Sequence, residues 1–307
     1  MVKRVQQLLG FSLAVSTRKV YRRAWALFKE AMCNTTTPFL GLESLPASIN
    51  QIMYFIGYLN LLKLSPSTIT SYTSALGYAH RAKGWTDPTK NPVVQKMLAA
   101  ANKLKSQADA RLPITLVILV DLVKSLDHTV SNLYHRILFQ AMYTIAFFGL
   151  MRVGEITKTI SGIVPLQLKN LKIYTTHITL TISHFKHNTT MKPFTLVLPR
   201  QSLAAVCPVT VMVQYLKVRG PQEGPLFCFP DGGAIPRNFF IKHLKNCFSF
   251  CGLDVTLYKS HSFRIGGASF YASLGLSDAQ IRTLGRWNSD AFLKYIREQR
   301  ILMAIAR

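Results

Sequence analysis

The spacing of apolar residues predicts that the first hundred residues are helical. Residues 16–32 repeat apolar side chains at helical intervals, and basic side chains take the opposite face. The apolar set is Val20, Tyr21, Ala24, Trp25, Phe28, Ala31 and Met32. The basic set includes Arg18, Lys19, Arg22 and Arg23. Such a charged face either is solvated or follows the phosphates of a nucleic acid, and the pattern leaves both open.

Local start signals predict three more helices in this region. Ser48 and Gln51 form a capping box, which begins a helix that runs to about residue 63. Pro66 occupies a first helical position after Ser65, and this helix ends at Gly84. A fourth helix opens at residues 91–92. Its inward side chains are Val94, Met97, Leu98, Ala101 and Leu104. The sequence therefore predicts an all-α domain over residues 1–105 and, from polar KLKSQADARLP, a linker at 106–113.

The pattern changes within the second domain, predicted at residues 114–307. Residues 114–126 and 132–150 have helical spacing, and the second stretch is apolar nearly all round, which places it at the centre. HITLTIS and FTLVLP then alternate as strands do, with KHNTTMK as a turn between them. Helices at 208–218 and 236–250 flank LFCFPDGG, read as a short buried strand and turn. The expected fold class is mainly α with a small antiparallel β-sheet.

Charge narrows the choice of partner. The 307 residues include 37 Lys and Arg against 13 Asp and Glu, a formal net charge of +24. Such a chain repels itself unless a polyanion is its normal partner, and nucleic acid is the leading candidate. A membrane surface is disfavoured because the basic residues are spread over many segments. The longest apolar run, residues 137–151, is too short to span a bilayer.

The remaining chemistry-bearing residues give little support for a metal or a cofactor. The five cysteines are odd in number and scattered, which favours a reducing compartment over a disulfide framework. His243, Cys247 and Cys251 share one helix face, but a buried helix face explains them better than a metal site does. The sequence contains no phosphate-binding GxxxxGK[ST] loop and no paired-carboxylate site. We expect no metal and no cofactor.

The stretch from residue 261 to residue 297 carries the densest set of candidate residues. His261 and Arg264 lie three apart, so a helix would present both on one face. Ser277 and Gln280 form a capping box for a helix that ends near Gly285. Residues 289–290 then offer an N-cap for a last helix that carries Phe292 and Tyr295.

Taken together, these motifs resemble a known family. HSFR, LGRW and a Tyr followed by Ile-Arg resemble the C-terminal signature of the tyrosine recombinases, the phage-integrase family. The motif GRWNSDAFLKYIR is most similar to enzymes of eukaryotic Crypton and DIRS-like mobile elements. Tyr295 follows Trp287 by eight residues where many bacterial members have nine, which fits that eukaryotic branch. The resemblance covers nearly the whole chain and implies an N-terminal SAM-like core-binding domain before an α+β catalytic domain.

The resemblance also implies a catalytic set. Its members are Arg152, Lys186, His261, Arg264, Trp287 and the nucleophile Tyr295, with Glu155 in support. Arg152 matches the family's GLxRxGE context, although a structural salt bridge with Glu155 alone would explain the pair. Lys186 matches the family's β-hairpin lysine, with Lys192 on the returning strand as a rival. Tyr271 is read as a packing residue and is the first replacement for Tyr295.

The function implied is site-specific DNA cutting and rejoining through a 3′-phosphotyrosyl intermediate, for an enzyme of a mobile element in the nucleus. The partners implied are double-stranded DNA and further copies of the chain, from dimer to tetramer. The DNA-binding residues expected are Arg18, Lys19, Arg22, Arg23, Arg282 and Arg286. Two alternatives remain open: a domesticated, catalytically silent DNA-binding regulator, and a monomeric type IB topoisomerase, against which the helical N-terminal domain argues mildly.

Overall fold

The computed structural model describes residues 13–33, 46–104, 110–159, 164–183, 185, 192–293 and 296. The chain divides into two compact units, Met1–Asp109 and Ala110–Arg307. Within the described residues the structure is mainly helical with a single three-stranded antiparallel sheet, which confirms the predicted fold class. No helix in this part of the chain has both the length and the apolar character needed to cross a membrane.

In the first unit, residues 13–33 and 46–104 form four α-helices, α1 (Val15–Cys33), α2 (Ile49–Leu61), α3 (Pro66–Ala82) and α4 (Pro92–Leu104). The capping box at Ser48 and the proline at the first position of α3 are confirmed. Their apolar faces enclose a core in which Phe28, Phe55 and Leu76 are fully buried.

Two apolar residues of the first unit point away from this core, contrary to the periodicity. Val20 is 38% exposed, because α1 buries the face formed by Ala24, Leu27 and Phe28 instead. Leu104, expected inward, is 78% exposed as the last residue of α4. At Leu104, helical spacing overestimates burial because the final turn of a helix has fewer neighbours to pack against.

The second unit is built around one buried helix. Its first helices are α5 (Leu116–Thr129), α6 (Leu133–Phe148) and the single turn α7 (Val153–Ile156). Later come α8 (Pro208–Arg219), α9 (Arg237–Phe250), α10 (Ser262–Ser273) and α11 (Asp278–Gly285). Helix α6 packs against α5, α8 and α10, and every residue from 141 to 148 is buried, as its apolar composition predicts.

The sheet lies on this helical core with one face buried. Its strands are β1 (Leu171–Ile173), β2 (His177–Ile182) and β3 (Phe194–Pro199), in the order β1-β2-β3. Leu180 pairs with both Leu171 and Leu196, so the alternating apolar residues of neighbouring strands meet on the same face. The strand expected in LFCFPDGG is wrong: residues 226–228 are buried, but only an isolated bridge between Cys228 and Ala234 forms there.

Candidate active site

The turn after α6 presents backbone acceptors to two arginines. Leu150 adopts a left-handed conformation with φ of +46°, which costs a residue other than glycine about 1–2 kcal/mol. Its carbonyl oxygen accepts a hydrogen bond from Nη1 of Arg264 and another, at 3.1 Å, from Nη2 of Arg286. Nη1 and Nη2 of Arg286 also lie 3.4 Å from the Gly149 oxygen. These bonds from distant parts of the chain hold the turn in its strained form.

The buried carboxylate of Glu155 joins Arg152 to Arg286. Arg152 precedes α7, and its backbone N–H donates to Oε2 of Glu155 at 2.9 Å while its Nη1 donates to Oε1 at 3.1 Å. Nη2 of Arg286 donates to the same Oε2 at 3.0 Å. The Glu155 side chain is 5% exposed, whereas that of Arg152 is 24% exposed. Glu155 therefore holds Arg152, as the sequence suggested, and a second guanidinium that it did not.

The charges around Glu155 decide its protonation. Burial alone would raise the pKa of this carboxyl, but Arg286, Arg152 and Arg264 in turn lower it, and the pKa lies below its usual value of 4.5. Burial lowers the pKa of Arg286, and Glu155 opposes that effect. The carboxylate is therefore ionised at neutral pH and compensates the positive charge gathered around it.

Arg264 lies inside the unit. It is 1% exposed and belongs to the first turn of α10, where Nη2 donates to the Gly285 oxygen at 2.8 Å. Glycines let α10 approach its neighbours: a Cβ on Gly266 would lie 1.7 Å from the Ile114 oxygen, and one on Gly267 would lie 2.3 Å from the Phe147 oxygen. Close packing of α10 thus brings Arg264 to the turn after α6.

Trp287 covers the Arg264 guanidinium. The Cζ atom of Arg264 lies 4.4 Å from the centroid of the indole ring, a cation–π contact. The indole also stacks on Phe292, with centroids 5.4 Å apart. A Cβ on Gly285 would lie 1.6 Å from Cζ3 of Trp287, so only glycine permits this ring position. Gly285 therefore allows Trp287 to cover Arg264 while its ring stacks on Phe292.

The end of α11 differs from a glycine-terminated helix. The capping box at Ser277 and the end at Gly285 are confirmed, but the left-handed residue that follows is Arg286, with φ of +53°. Arg286 was expected to contact DNA, yet it is 5% exposed. Arg282, expected in the same role, donates to the Asn288 oxygen at 3.0 Å and lies 3.4 Å from Asp290. Arg286 is therefore part of the buried structure, whereas the Arg282 side chain is 46% exposed and its contact with DNA stays a prediction.

His261 stands at the start of α10. It takes the N-cap position with helical dihedral angles, φ −73° and ψ −21°, and is half-buried. Its carbonyl oxygen accepts the backbone N–H of Arg264 at 3.0 Å. The two candidates therefore belong to the same helical turn.

Comparison with known proteins identifies the fold. No protein-family model and no curated protein matches the chain. The structure is similar to XerH site-specific recombinase bound to palindromic difH substrate in a post-cleavage complex, with a TM-score of 0.68, 15% identity and coverage of 94% of this chain and 78% of that one. It is also similar to a lambda integrase(75-356) dimer bound to a COC' core site, with a TM-score of 0.63, 15% identity and coverage of 96% and 93%. The chain has the tyrosine recombinase fold.

A mobile-element protein shares the fold as well. The Tn1549 transposon integrase in complex with transposon right end DNA is similar to this chain at a TM-score of 0.63 and 12% identity, with coverage of 95% of this chain and 93% of that one. At such identities the likeness extends to the recombinase fold and leaves the roles of single residues to be argued from this chain.

Two residues that the resemblance assigns to recombinase chemistry, Lys186 and Tyr295, lie outside the described residues. The rival lysine, Lys192, is exposed two positions before β3. The rival tyrosine, Tyr271, is 9% exposed, and its hydroxyl donates to the Phe148 oxygen at 2.7 Å. Burial raises the pKa of this phenol, which makes it a poorer nucleophile at neutral pH.

The recombinase fold of this chain also includes a basic helix in the first unit. On α1, Lys19, Arg22 and Arg23 are exposed, and Arg18 is half-buried. The same helix carries one acidic residue, Glu30, which accepts the Tyr58 hydroxyl at 2.7 Å. The outer face of α1 is therefore strongly positive.

Proposed function

We propose that the protein cuts and rejoins DNA at specific sites through a 3′-phosphotyrosyl intermediate. The observation that carries the proposal is the arginine cluster within a recombinase fold: Glu155 holds Arg152, and the Leu150 oxygen, two residues before Arg152, accepts Arg264. The buried carboxylate of Glu155 is the counter-charge of both guanidiniums. Guanidiniums fixed in advance stabilise the charge that develops on a phosphate as it is attacked. No step of this chemistry requires a metal or ATP.

The nucleophile in this proposal is Tyr295. A phenol has an ordinary pKa of about 10, so it attacks phosphorus only when its proton is removed and the phosphate charge is neutralised. Arg152 and Arg264 supply that neutralisation by donating to the two non-bridging oxygens, because a guanidinium stays charged and matches a phosphate in shape. Each such contact is worth roughly 3 kcal/mol in the transition state.

Three further residues complete the proposed mechanism. His261 exchanges the proton of the phenol, and Lys186 protonates the departing 5′ oxygen. The indole N–H of Trp287 donates to the phosphate. The bond energy is kept in the phosphotyrosyl linkage, and a free 5′ hydroxyl of another strand then attacks it. This sequence rejoins DNA without an external energy source.

The proposed partners are double-stranded DNA and other copies of the chain, from dimer to tetramer. The net charge of +24 and the positive face of α1 support DNA binding. Lambda integrase, which shares the fold, is described as a dimer on a core site and as a tetramer on a Holliday junction. We further propose that a eukaryotic mobile element encodes the protein and that it works in the nucleus, on the strength of the GRWNSDAFLKYIR motif.

The alternative is a catalytically silent DNA-binding regulator with the same fold. One observation favours it: the Arg264 guanidinium is enclosed by Trp287 and by backbone oxygens, and Arg152 is the more exposed of the two. A regulator would bind DNA and form no covalent adduct. The two functions therefore differ in a single measurable product.

The test is a covalent trap. The full chain is incubated with duplex DNA from the ends of its own element, nicked so that the 5′-hydroxyl fragment diffuses away after cleavage. We expect a protein–DNA adduct that survives denaturing electrophoresis. Tyr295→Phe should abolish the adduct and keep DNA affinity within a few-fold, because it removes only the nucleophilic oxygen. Tyr271→Phe is the matched control and should retain the adduct.

One result would refute the proposed function, and another would change only the assigned nucleophile. DNA binding by the unaltered chain without any adduct would favour the silent regulator. An adduct that persists in Tyr295→Phe and disappears in Tyr271→Phe would assign the nucleophile to Tyr271.

A further inference from the structure

Arg286 is buried in a setting that differs from that of a DNA-binding arginine. It is 5% exposed, its Nη2 donates to Glu155, and its Nη1 donates to the Leu284 oxygen at 3.1 Å. Its Cζ atom lies 5.8 Å from the ring centroid of Phe194, the first residue of β3. One side chain therefore links the end of α11, the turn after α6 and the start of the returning strand.

The contacts of Arg286 are costly to maintain. A buried ion pair pays for the desolvation of both charges, and apolar residues of similar volume often stabilise a fold equally well. Arg286 also adopts a left-handed backbone conformation, which is unfavourable for any residue other than glycine. Stability alone therefore explains the residue poorly, and its position relative to Arg152 explains it better.

The shared carboxylate transmits the position of Arg286 to Arg152. Oε2 of Glu155 accepts the Arg286 guanidinium and the backbone N–H of Arg152, and Oε1 accepts Nη1 of Arg152. With Oε2 held from both sides, the plane of the carboxylate is set, and Oε1 then fixes the Arg152 guanidinium. Arg286 also holds the oxygens of residues 149 and 150, which lie just before Arg152 in the chain.

Building on the proposed function, we propose that Arg286 is a positioning residue for DNA cleavage: through Glu155 and the Gly149–Leu150 turn it orients the Arg152 guanidinium towards the scissile phosphate. Arg286 itself does not contact the DNA. Displacement of a catalytic group by about 1 Å can lower a rate about a hundred-fold, so loss of this support should slow the chemical step. DNA affinity, which depends on many other contacts, should change little.

The experiment compares Arg286→Met with Arg219→Met in the full chain. Arg219 is also a buried arginine of the second unit, 9% exposed, but its partners among the described residues are the backbone oxygens of residues 220, 222, 225 and 226. Single-turnover cleavage of the nicked DNA is measured at saturating protein, with affinity and thermal unfolding measured separately. We expect Arg286→Met to lower the saturated rate about a hundred-fold with affinity within a few-fold. Arg219→Met should lower thermal stability and keep the rate.

Two further variants separate positioning from packing. Arg286→Lys keeps the charge beside Glu155 and should recover part of the rate, and it decides the question if Arg286→Met does not fold. The double variant Arg286→Met with Glu155→Gln should cleave no more slowly than Glu155→Gln alone, because both changes remove the same support.

The outcomes are distinct. A saturated rate equal to that of the unaltered chain in Arg286→Met, or in Arg286→Lys where only that variant folds, would overturn the inference. Weakened affinity with an unchanged saturated rate would also overturn it and would return Arg286 to a DNA contact. If the unaltered chain itself forms no adduct, the proposed function fails, and the inference that rests on it fails with it.

Discussion

The two units use the same type of residue in opposite ways. On α1 of the first unit, Lys19, Arg22 and Arg23 are exposed. In the second unit, Arg264 and Arg286 are buried and donate to backbone oxygens or to a carboxylate. An exposed cation attracts phosphates at long range and adapts to many positions, whereas a buried one has a fixed position and a charge that the fold must compensate.

The difference in burial distinguishes the cations expected to provide DNA affinity from those expected to assist catalysis. Exposed cations contribute to DNA affinity in a way that salt weakens, since each neutralised phosphate releases counterions. Fixed guanidiniums contribute when charge develops in the transition state, because they need not reorganise. Arg152 is intermediate in exposure: its side chain is 24% exposed and is anchored by Glu155. We therefore expect Arg152 to combine access to the phosphate with a fixed orientation.

The largest expected effect concerns Lys186. Its proposed role is to transfer a proton, which neither the exposed cations nor the fixed guanidiniums do. Lys186→Ala should slow cleavage of ordinary DNA about 10²- to 10⁴-fold. The same variant should cleave a substrate with 5′-bridging sulfur nearly as fast as the unaltered protein, because sulfur leaves without a proton. Single-turnover rates on the two substrates provide the measurement.

Lys192→Ala is the matched control on the other side of the turn and should be slowed little on either substrate. Sulfur rescue of Lys192→Ala, but not of Lys186→Ala, would reverse the two assignments. If both variants stay slow with sulfur, the hairpin binds DNA and His261 becomes the first candidate for the acid.

The next effect tests the contrast within the second unit. Arg152→Lys keeps the charge but removes the planar fork, so we expect cleavage to fall about a hundred-fold, the equivalent of roughly 3 kcal/mol, with little change in thermal unfolding. Arg264→Lys should lower both the cleavage rate and the stability. A lysine cannot satisfy the Leu150 and Gly285 oxygens together, and each buried acceptor left unpaired costs about 1–3 kcal/mol. Thermal unfolding that is unchanged by Arg264→Lys would contradict the buried role.

How much of this arrangement the sequence predicts depends on the range of each interaction. The capping boxes at Ser48 and Ser277 and the proline at position 66 were predicted correctly because the partners lie within three residues. The burial of α6 follows from its apolar composition alone. Local signals therefore determine the helices and their starts.

The arrangement of the buried arginines could not be predicted in the same way. Arg286 reaches Glu155 across 131 positions of the chain, and no local pattern encodes that interaction. The sequence therefore placed Arg286 with the exposed cations. One signal was available: a basic residue directly after Gly285 and before Trp287 stands where the chain must turn sharply, and a turn packed by an indole leaves little room for a solvated side chain.

The third effect, on stability and not on cleavage rate, concerns the pH dependence that Glu155 creates. Its pKa in the folded protein lies below the usual 4.5, so its contribution to stability is complete above 4.5 and is lost as pH falls through the lowered value. At neutral pH, Glu155→Gln should destabilise the protein by about 3–5 kcal/mol, because two guanidiniums lose their counter-charge. The difference between the two proteins should shrink below pH 4.5, which urea unfolding at several pH values would show. A difference that is constant with pH would mean that the carboxylate is not compensated as described.

The smallest effect belongs to the exposed cations of the first unit. Replacing Lys19, Arg22 and Arg23 with Gln removes three charges from one face of α1 and leaves the buried face intact, so thermal unfolding should stay nearly constant. If all three lie against phosphates, the slope of log affinity against log salt should decrease by about 0.9 for each phosphate that is no longer neutralised. Cleavage at saturating protein should be unchanged, because these residues supply affinity only.

Val20→Gln is the control on the same helix: it is 38% exposed and uncharged, and it should leave the slope unaltered. An unchanged slope in the triple variant would mean that the face of α1 is merely solvated, and the contrast between the two units would then be one between solvation and catalysis.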